Sequence, residues 1–166
     1  MEFWNCFLYF AITGAIGFFL GRLLPKKWFQ PDGFLFRCRE FEKNGKLYEK
    51  IKVRHWQNRL PDMSRILPWA MPSKKVEGDY AQKLPVMLEE TCVAEFIHLL
   101  MCVTGLYSFH LWPGIGGVTV YLIYVTVFNL PYIVIQRYNR PRLLKLYSRI
   151  LRGNAKERGS KALCES

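Results

Sequence analysis

The segment ETCVAEFIH, residues 90–98, carries Glu90, Glu95 and His98 at the mouth of a long apolar run. Thr91, Glu95, His98 and Cys102 fall at i, i+4, i+7 and i+11, a single stripe on one helix face. Glu95 and His98 stand three residues apart, so a direct hydrogen bond between them is expected. A histidine oriented by a carboxylate, Glu95 or Glu90, is a general base of the pKa class that proton transfer near neutrality needs. Ionisable groups in a membrane segment are expensive, about 2.5–3.5 kcal/mol each near the centre, and read as functional by default.

A second polar cluster closes the same run. NLPYIVIQRYNRPR, residues 129–142, holds Asn129, Gln136, Arg137 and Arg140. Guanidinium groups suit bidentate recognition of phosphate or carboxylate. The same pattern also fits a buried Glu95–Arg137 ion pair that ties two helices together. No Gly-rich phosphate loop, GxSxG or HExxH is present, and a lone Glu-x-x-His lacks the second motif that a di-iron bundle requires; no metal and no bound cofactor is expected.

The elements that must position these groups follow from charge. The 166 residues are 51% hydrophobic with a net charge of +11, and the charge is segregated. Charged residues are absent from Phe3 to Gly21 and again from Phe96 to Gln136. A 41-residue run makes about 60 Å of helix, twice the ~30 Å hydrocarbon layer, so it must fold back. PGIGG, Pro113 to Gly117, is the break. The expected fold is an all-α integral membrane protein forming a single domain over 1–166, with spans at about 3–24, 91–112 and 118–137.

The first run lacks a basic leader and a small-residue cleavage site, and reads as a retained anchor. Fourteen Lys and Arg lie between Pro25 and Glu90 and nine lie from Arg137 onward, with none in the hairpin turn. The positive-inside rule then gives N-out, C-in, with the segment 25–90 and the tail in the cytoplasm. The hairpin returns Glu90, Glu95 and His98 to the depth of Asn129, Gln136, Arg137 and Arg140, in one pocket on the cytoplasmic side.

Within the cytoplasmic segment, Asn44-Gly45 reads as a turn, and Tyr48, Ile51, His55 and Trp56 share a helix face; the alternation of Ile51 and Val53 also suits a short strand. RILPWAMP, residues 65–72, is expected at the membrane interface, and SKKVEGDYAQK is the most polar stretch. Residues 141–153 form a basic amphipathic helix suited to anionic lipid, and 154–166 are expected to be disordered. His110 and Trp112 belong at the outer interface. Five cysteines show no metal or disulfide spacing and read as reduced thiols. Membrane topology accounts for the basic charge, so nucleic acid is not an expected partner. His55 and Asp62 lie two residues too far apart for the His-x4-Asp dyad of glycerolipid acyltransferases.

FEKNGK at 41–46, VRHWQNRLPD at 53–62, ETCVAEFIH at 90–98 and NLPYIVIQRYNRPRL at 129–143 occur in that order over nearly the whole chain. In these motifs the sequence resembles the glycosyl-4,4'-diaponeurosporenoate acyltransferases, small membrane proteins of Gram-positive bacteria that act late in staphyloxanthin-type carotenoid synthesis. The resemblance implies transfer of a fatty acyl chain, from acyl-CoA or acyl carrier protein, to a hydroxyl of the glucose on a glycosylated C30 carotenoid acid, in the bacterial cell membrane. It carries over Glu90, Thr91, Glu95 and His98 from one motif and Gln136, Arg137, Asn139 and Arg140 from another, with Arg54, Trp56 and Asp62 from the middle segment. Gln57 departs from the family pattern, which has lysine there, so a charge role does not carry over.

On this reading His98 takes the proton of the attacking hydroxyl and Glu95 or Glu90 orients the imidazole. Arg137 or Arg140 holds the donor phosphates or the developing oxyanion. Two rivals remain: a membrane enzyme that modifies another glycolipid with the same pocket, and a non-catalytic scaffold of a lipid-biosynthesis complex. Three spans are few for enclosing a pocket among membrane lipids, which points to a homo-oligomer or to help from the amphipathic segments.

Overall fold

A computed structural model of the protein describes residues 1–60 and 80–164. The expected interfacial segment 65–72, residues 73–79 of the polar stretch after it and Asp62 lie outside the described residues. The described residues are helical, with no strand among them. They form α1 (Glu2–Leu23), two short helices α2 (Lys46–Lys50) and α3 (Val53–Trp56), α4 (Tyr80–Gly105), a one-turn α5 (Ser108–Leu111), α6 (Ile115–Ile123) and α7 (Leu130–Cys164). A π-helical turn, Tyr124–Asn129, joins α6 to α7. Three stretches are long and apolar enough to cross a membrane: Glu2–Leu23, Lys83–Leu111 and Ile115–Gly153.

The fold back occurs at Pro113-Gly114, where Gly114 has φ +94°. Proline removes an N–H and glycine takes the positive φ, so the helix ends there. Beyond the turn the chain runs close against Trp112. A Cβ on Gly116 would lie 2.1 Å from the Trp112 ring, and one on Gly117 would lie 2.1 Å from the Trp112 carbonyl oxygen. Further along the hairpin, Gly105 lets Tyr121 and Tyr124 approach α4.

Helix α1 packs on α4 through small residues. Gly17 faces Ile97 and Met101, and Gly21 faces Ile97, the close approach between helices that small residues allow. Tyr9 donates to the Thr104 carbonyl at 2.8 Å. Below this contact Phe29 and Phe36, from the chain after α1, bury against Cys92, Val93 and Ile97.

The stretch from Tyr48 to Trp56 is neither the continuous helix nor the short strand that the sequence allows: Lys52, with φ +53°, divides it into α2 and α3. Lys43, Asn44 and Gly45 before it also have positive φ. Asn44-Gly45 does reverse the chain, and Gly45 sits over α7, where its Cβ would meet Pro141 at 3.3 Å. Tyr48 and Val53 then pack on the fully buried Tyr138, with Trp56 at the edge. Ile51 and His55 face outward instead of sharing that side. At the other end, α7 runs through Pro141 to Cys164 as one element, where the sequence separates a span, a tail helix and an unstructured end.

Candidate functional site

Where α4 and α7 cross, four charged side chains form a chain, with Glu42, Glu95 and Arg140 buried and Arg137 partly exposed. Glu95 is fully buried, and its two oxygens take different arginines: Oε1 accepts from Arg137 Nε at 2.7 Å and Oε2 from Arg140 Nη2 at 2.6 Å. Arg137 Nη1 reaches Glu42 Oε1 at 3.1 Å. The guanidinium groups also cap the chain that carries Phe36: Arg137 Nη2 donates to the Leu35 carbonyl at 2.8 Å and Arg140 Nη1 to the Phe36 carbonyl at 2.7 Å. Arg140 further holds Thr91 through Oγ1 and the carbonyl. Two carboxylates and two guanidiniums thus balance with every strong donor engaged, the condition under which buried ions persist.

Glu42 was not singled out from the sequence, although FEKNGK contains it. It is 1% exposed. Its oxygens accept from the Arg39 N–H at 2.6 Å, from Arg137 and from the Tyr48 hydroxyl. Burial pushes its carboxyl up, but the hydrogen bonds from Tyr48, Arg39 and Arg137 outweigh burial and leave it below the ordinary value. Tyr48 is driven well up, first by burial and then by the Glu42 carboxylate.

His98 lies one turn further along α4 and does not meet Glu95, whose oxygens are drawn to the two full positive charges. Its Nδ1 stands 3.1 Å from Asn129 Oδ1, and its ring stacks on Tyr132 at 4.8 Å between centroids and 6° between planes. Glu90 is further still, paired at 2.6 Å with Lys26, both partners partly exposed. Asn129 therefore occupies the orienting place expected of a carboxylate.

The backbone explains how Asn129 gets there. Pro131 has no N–H to give the Val127 carbonyl, and the preceding turn widens: the Leu130 N–H bonds back five residues to the Val125 carbonyl. The Asn129 amide nitrogen donates to the Tyr124 carbonyl at 3.0 Å. A carbonyl only accepts, so this bond fixes the amide and turns Oδ1 toward His98. Oδ1 also only accepts, so Nδ1 carries the proton, and in the neutral imidazole Nε2 carries the lone pair. Among the described residues Nε2 has no hydrogen-bond partner. This is the tautomer of a general base.

About two turns before His98, α4 and α7 border a cleft of about 260 Å³. Gln136 and Asn139 line it with carboxamides, Met87, Leu143 and Leu146 with apolar groups, and Arg142 stands at its edge. Of the middle-segment candidates, Arg54 is exposed on α3, and Trp56 donates its indole N–H to the Ile51 carbonyl at 2.9 Å. Trp56 packs against the Tyr48 cluster and supports the network from outside. No group of metal-ligating side chains occurs among the described residues.

Residues 25–149 match the family model described as glycosyl-4,4'-diaponeurosporenoate acyltransferase. Proteins of that name from Staphylococcus aureus strains bovine RF122 / ET3-1, MRSA252 and USA300 are each 30% identical over 142 residues, which cover 85% of this chain and 85% of theirs. No solved structure matches the chain. The match takes in Glu42, Glu95, His98, Asn129, Arg137 and Arg140 together, and on it the chain belongs to the glycosyl-4,4'-diaponeurosporenoate acyltransferase family.

Proposed function

We propose that the protein transfers a fatty acyl chain from a thioester donor to a glucose hydroxyl of a glycosylated C30 carotenoid acid, with His98 as general base. The observation that carries this reading is the relay Tyr124 carbonyl–Asn129–His98, which in the neutral imidazole leaves Nε2 unprotonated, about two turns along α4 from Thr91 in the cleft lining. In the reaction Nε2 accepts the hydroxyl proton as the sugar oxygen attacks the acyl carbon. The C–S bond then breaks, an ester forms, and the proton passes from the imidazolium to the departing thiolate.

Glu95, Arg137, Arg140 and Glu42 are positioning residues in this scheme. Their charges neutralise one another, and the network holds α4 against α7 so that His98 and the carboxamides of Gln136 and Asn139 keep one geometry. Basic residues lie toward the N-terminal end of α4 and along α7 after the apolar run, which favours a topology with the N-terminus outside and the site on the cytoplasmic side of the bacterial cell membrane. Acyl and polyene chains lie along the exposed apolar faces.

The test is acyl transfer by detergent-solubilised protein given a labelled acyl thioester and a panel of glycosylated lipids. Ester formation on the glycosylated carotenoid acid supports the proposal. A product formed only on another glycolipid changes the acceptor. Absence of transfer from both acyl-CoA and acyl carrier protein, with folded protein, contradicts it.

A further inference from the structure

The cleft and His98 lie along the same pair of helices. On α7, Tyr132, Gln136, Asn139, Leu143 and Leu146 fall at i, i+4, i+7, i+11 and i+14, one stripe about 21 Å long. On α4, Met87 and Thr91 line the cleft, and Glu95 and His98 continue the same stripe beyond it. At one end of the α7 stripe Tyr132 stacks on His98, beyond the residues that line the cleft. The other end opens where Arg142 stands, among the basic residues that follow the apolar run. A groove of this form suits a thin, linear ligand with spaced amides, apolar carbons between them and a phosphate at its tail.

We infer that the α4/α7 groove binds the phosphopantetheine arm of the acyl donor, laid so that the thioester reaches His98 and the phosphate meets Arg142. This rests on the acyl-transfer reading and assigns the donor's place within it. The carboxamides of Gln136 and Asn139 make no hydrogen bond among the described residues, and each offers a donor and an acceptor to an amide of the arm. Met87, Leu143 and Leu146 face its methylene and methyl groups. Arg142 is held in position: its guanidinium lies 3.8 Å from the centroid of the buried Tyr138 ring. Its present partner, Glu49 at 2.9 Å, forms an exposed pair of little worth that a phosphate displaces. The arm is common to coenzyme A and to acyl carrier protein, so one groove serves either source. The acyl chain continues past His98 between the apolar faces.

The test uses two short-chain, non-transferable thioether probes, acyl-phosphopantetheine and acyl-pantetheine, titrated into the full-length His98→Ala protein in detergent. The phosphorylated probe should bind about tenfold more tightly. Arg142→Gln should abolish that difference without weakening the unphosphorylated probe. Leu143→Trp, which fills the groove, should weaken both probes more than tenfold, and Gln136→Leu serves the same purpose with less added volume if the Trp variant does not fold. In the His98-containing protein the groove variants should raise KM for acyl-CoA and for acyl carrier protein alike, and the donor with the higher kcat/KM names the source. Equal affinity for the two probes, or groove variants that bind them normally, overturns the assignment. Transfer with donor KM unchanged by these variants overturns the groove alone and leaves His98 standing. Probe binding without any transfer keeps the groove and removes the reaction.

Discussion

Asn129 Oδ1 lies 3.1 Å from His98 Nδ1, while the Asn129 amide nitrogen is tied at 3.0 Å to the Tyr124 carbonyl of its own π-helical turn. An asparagine thus sets the tautomer of a histidine without placing a charge beside it. Asn129 is fully buried, so the bond is shielded from competition by water.

Replacing Asn129 by alanine frees the imidazole to rotate and to protonate on either nitrogen. The expected result is a fall in kcat of about 10²-fold, within the usual range for general-base assistance, with KM for both substrates within about threefold of wild type. Steady-state kinetics on the purified variant checks it. A large KM change with kcat preserved assigns Asn129 to binding instead.

Removing Arg140 leaves Oε2 of the buried Glu95 carboxylate without its partner and the network with an excess negative charge. Arg140→Met should destabilise the protein by about 3–5 kcal/mol, whereas Glu95→Gln combined with Arg140→Met should cost much less than the sum of the two single changes. Denaturation of all three variants in one detergent gives the coupling energy. A sum that is simply additive means the pair does not act as a unit.

Glu42 gives the network a pH limit. Its folded pKa lies below the ordinary carboxylate value of 4.5, so its contribution is complete above that value and is lost as pH falls through the folded one. Wild type should lose stability more steeply than Glu42→Gln on acidification below about pH 4.5. Near neutrality the variant should be less stable by about 2 kcal/mol, the scale of a lost hydrogen bond to a charged group. Melting temperatures across the acid range read both effects. Parallel curves for the two proteins contradict the assignment.

Much of this arrangement is legible in the sequence. The two charge-free runs and PGIGG give three apolar helices and a hairpin, and the hairpin alone brings Glu95 and His98 to the level of Asn129, Arg137 and Arg140. The pairing inside the cluster is not legible. Helix spacing puts Glu95 beside His98, but the third partner, Glu42, comes from a segment whose positive-φ residues obey no helical period, and together the two arginines outcompete a neutral imidazole for Glu95. The wide turn before Pro131 shifts Asn129 from its ideal helical bearing, so only coordinates reveal its contact with His98. The FEKNGK and NLPYIV motifs did contain Glu42 and Tyr132; a buried acid among turns and an aromatic one residue after a proline carry no periodic signal that would have separated them from their neighbours.

The hairpin turn separates two kinds of clash. Gly116→Ala puts a methyl into the Trp112 indole, and Gly117→Ala puts one into the Trp112 backbone carbonyl. Trp112→Ala should therefore restore folding to Gly116→Ala and fail to restore Gly117→Ala. The yield of monodisperse protein and its melting temperature measure this. Equal rescue of both contradicts the turn geometry.

The most direct test of the account is single-turnover transfer by His98→Ala, with labelled acyl donor and the glycosylated carotenoid acid, beside wild type under identical folding controls. The account predicts a rate lower by at least about 10²-fold with donor and acceptor still bound. Wild-type transfer by a folded His98→Ala protein would contradict it and place the base elsewhere.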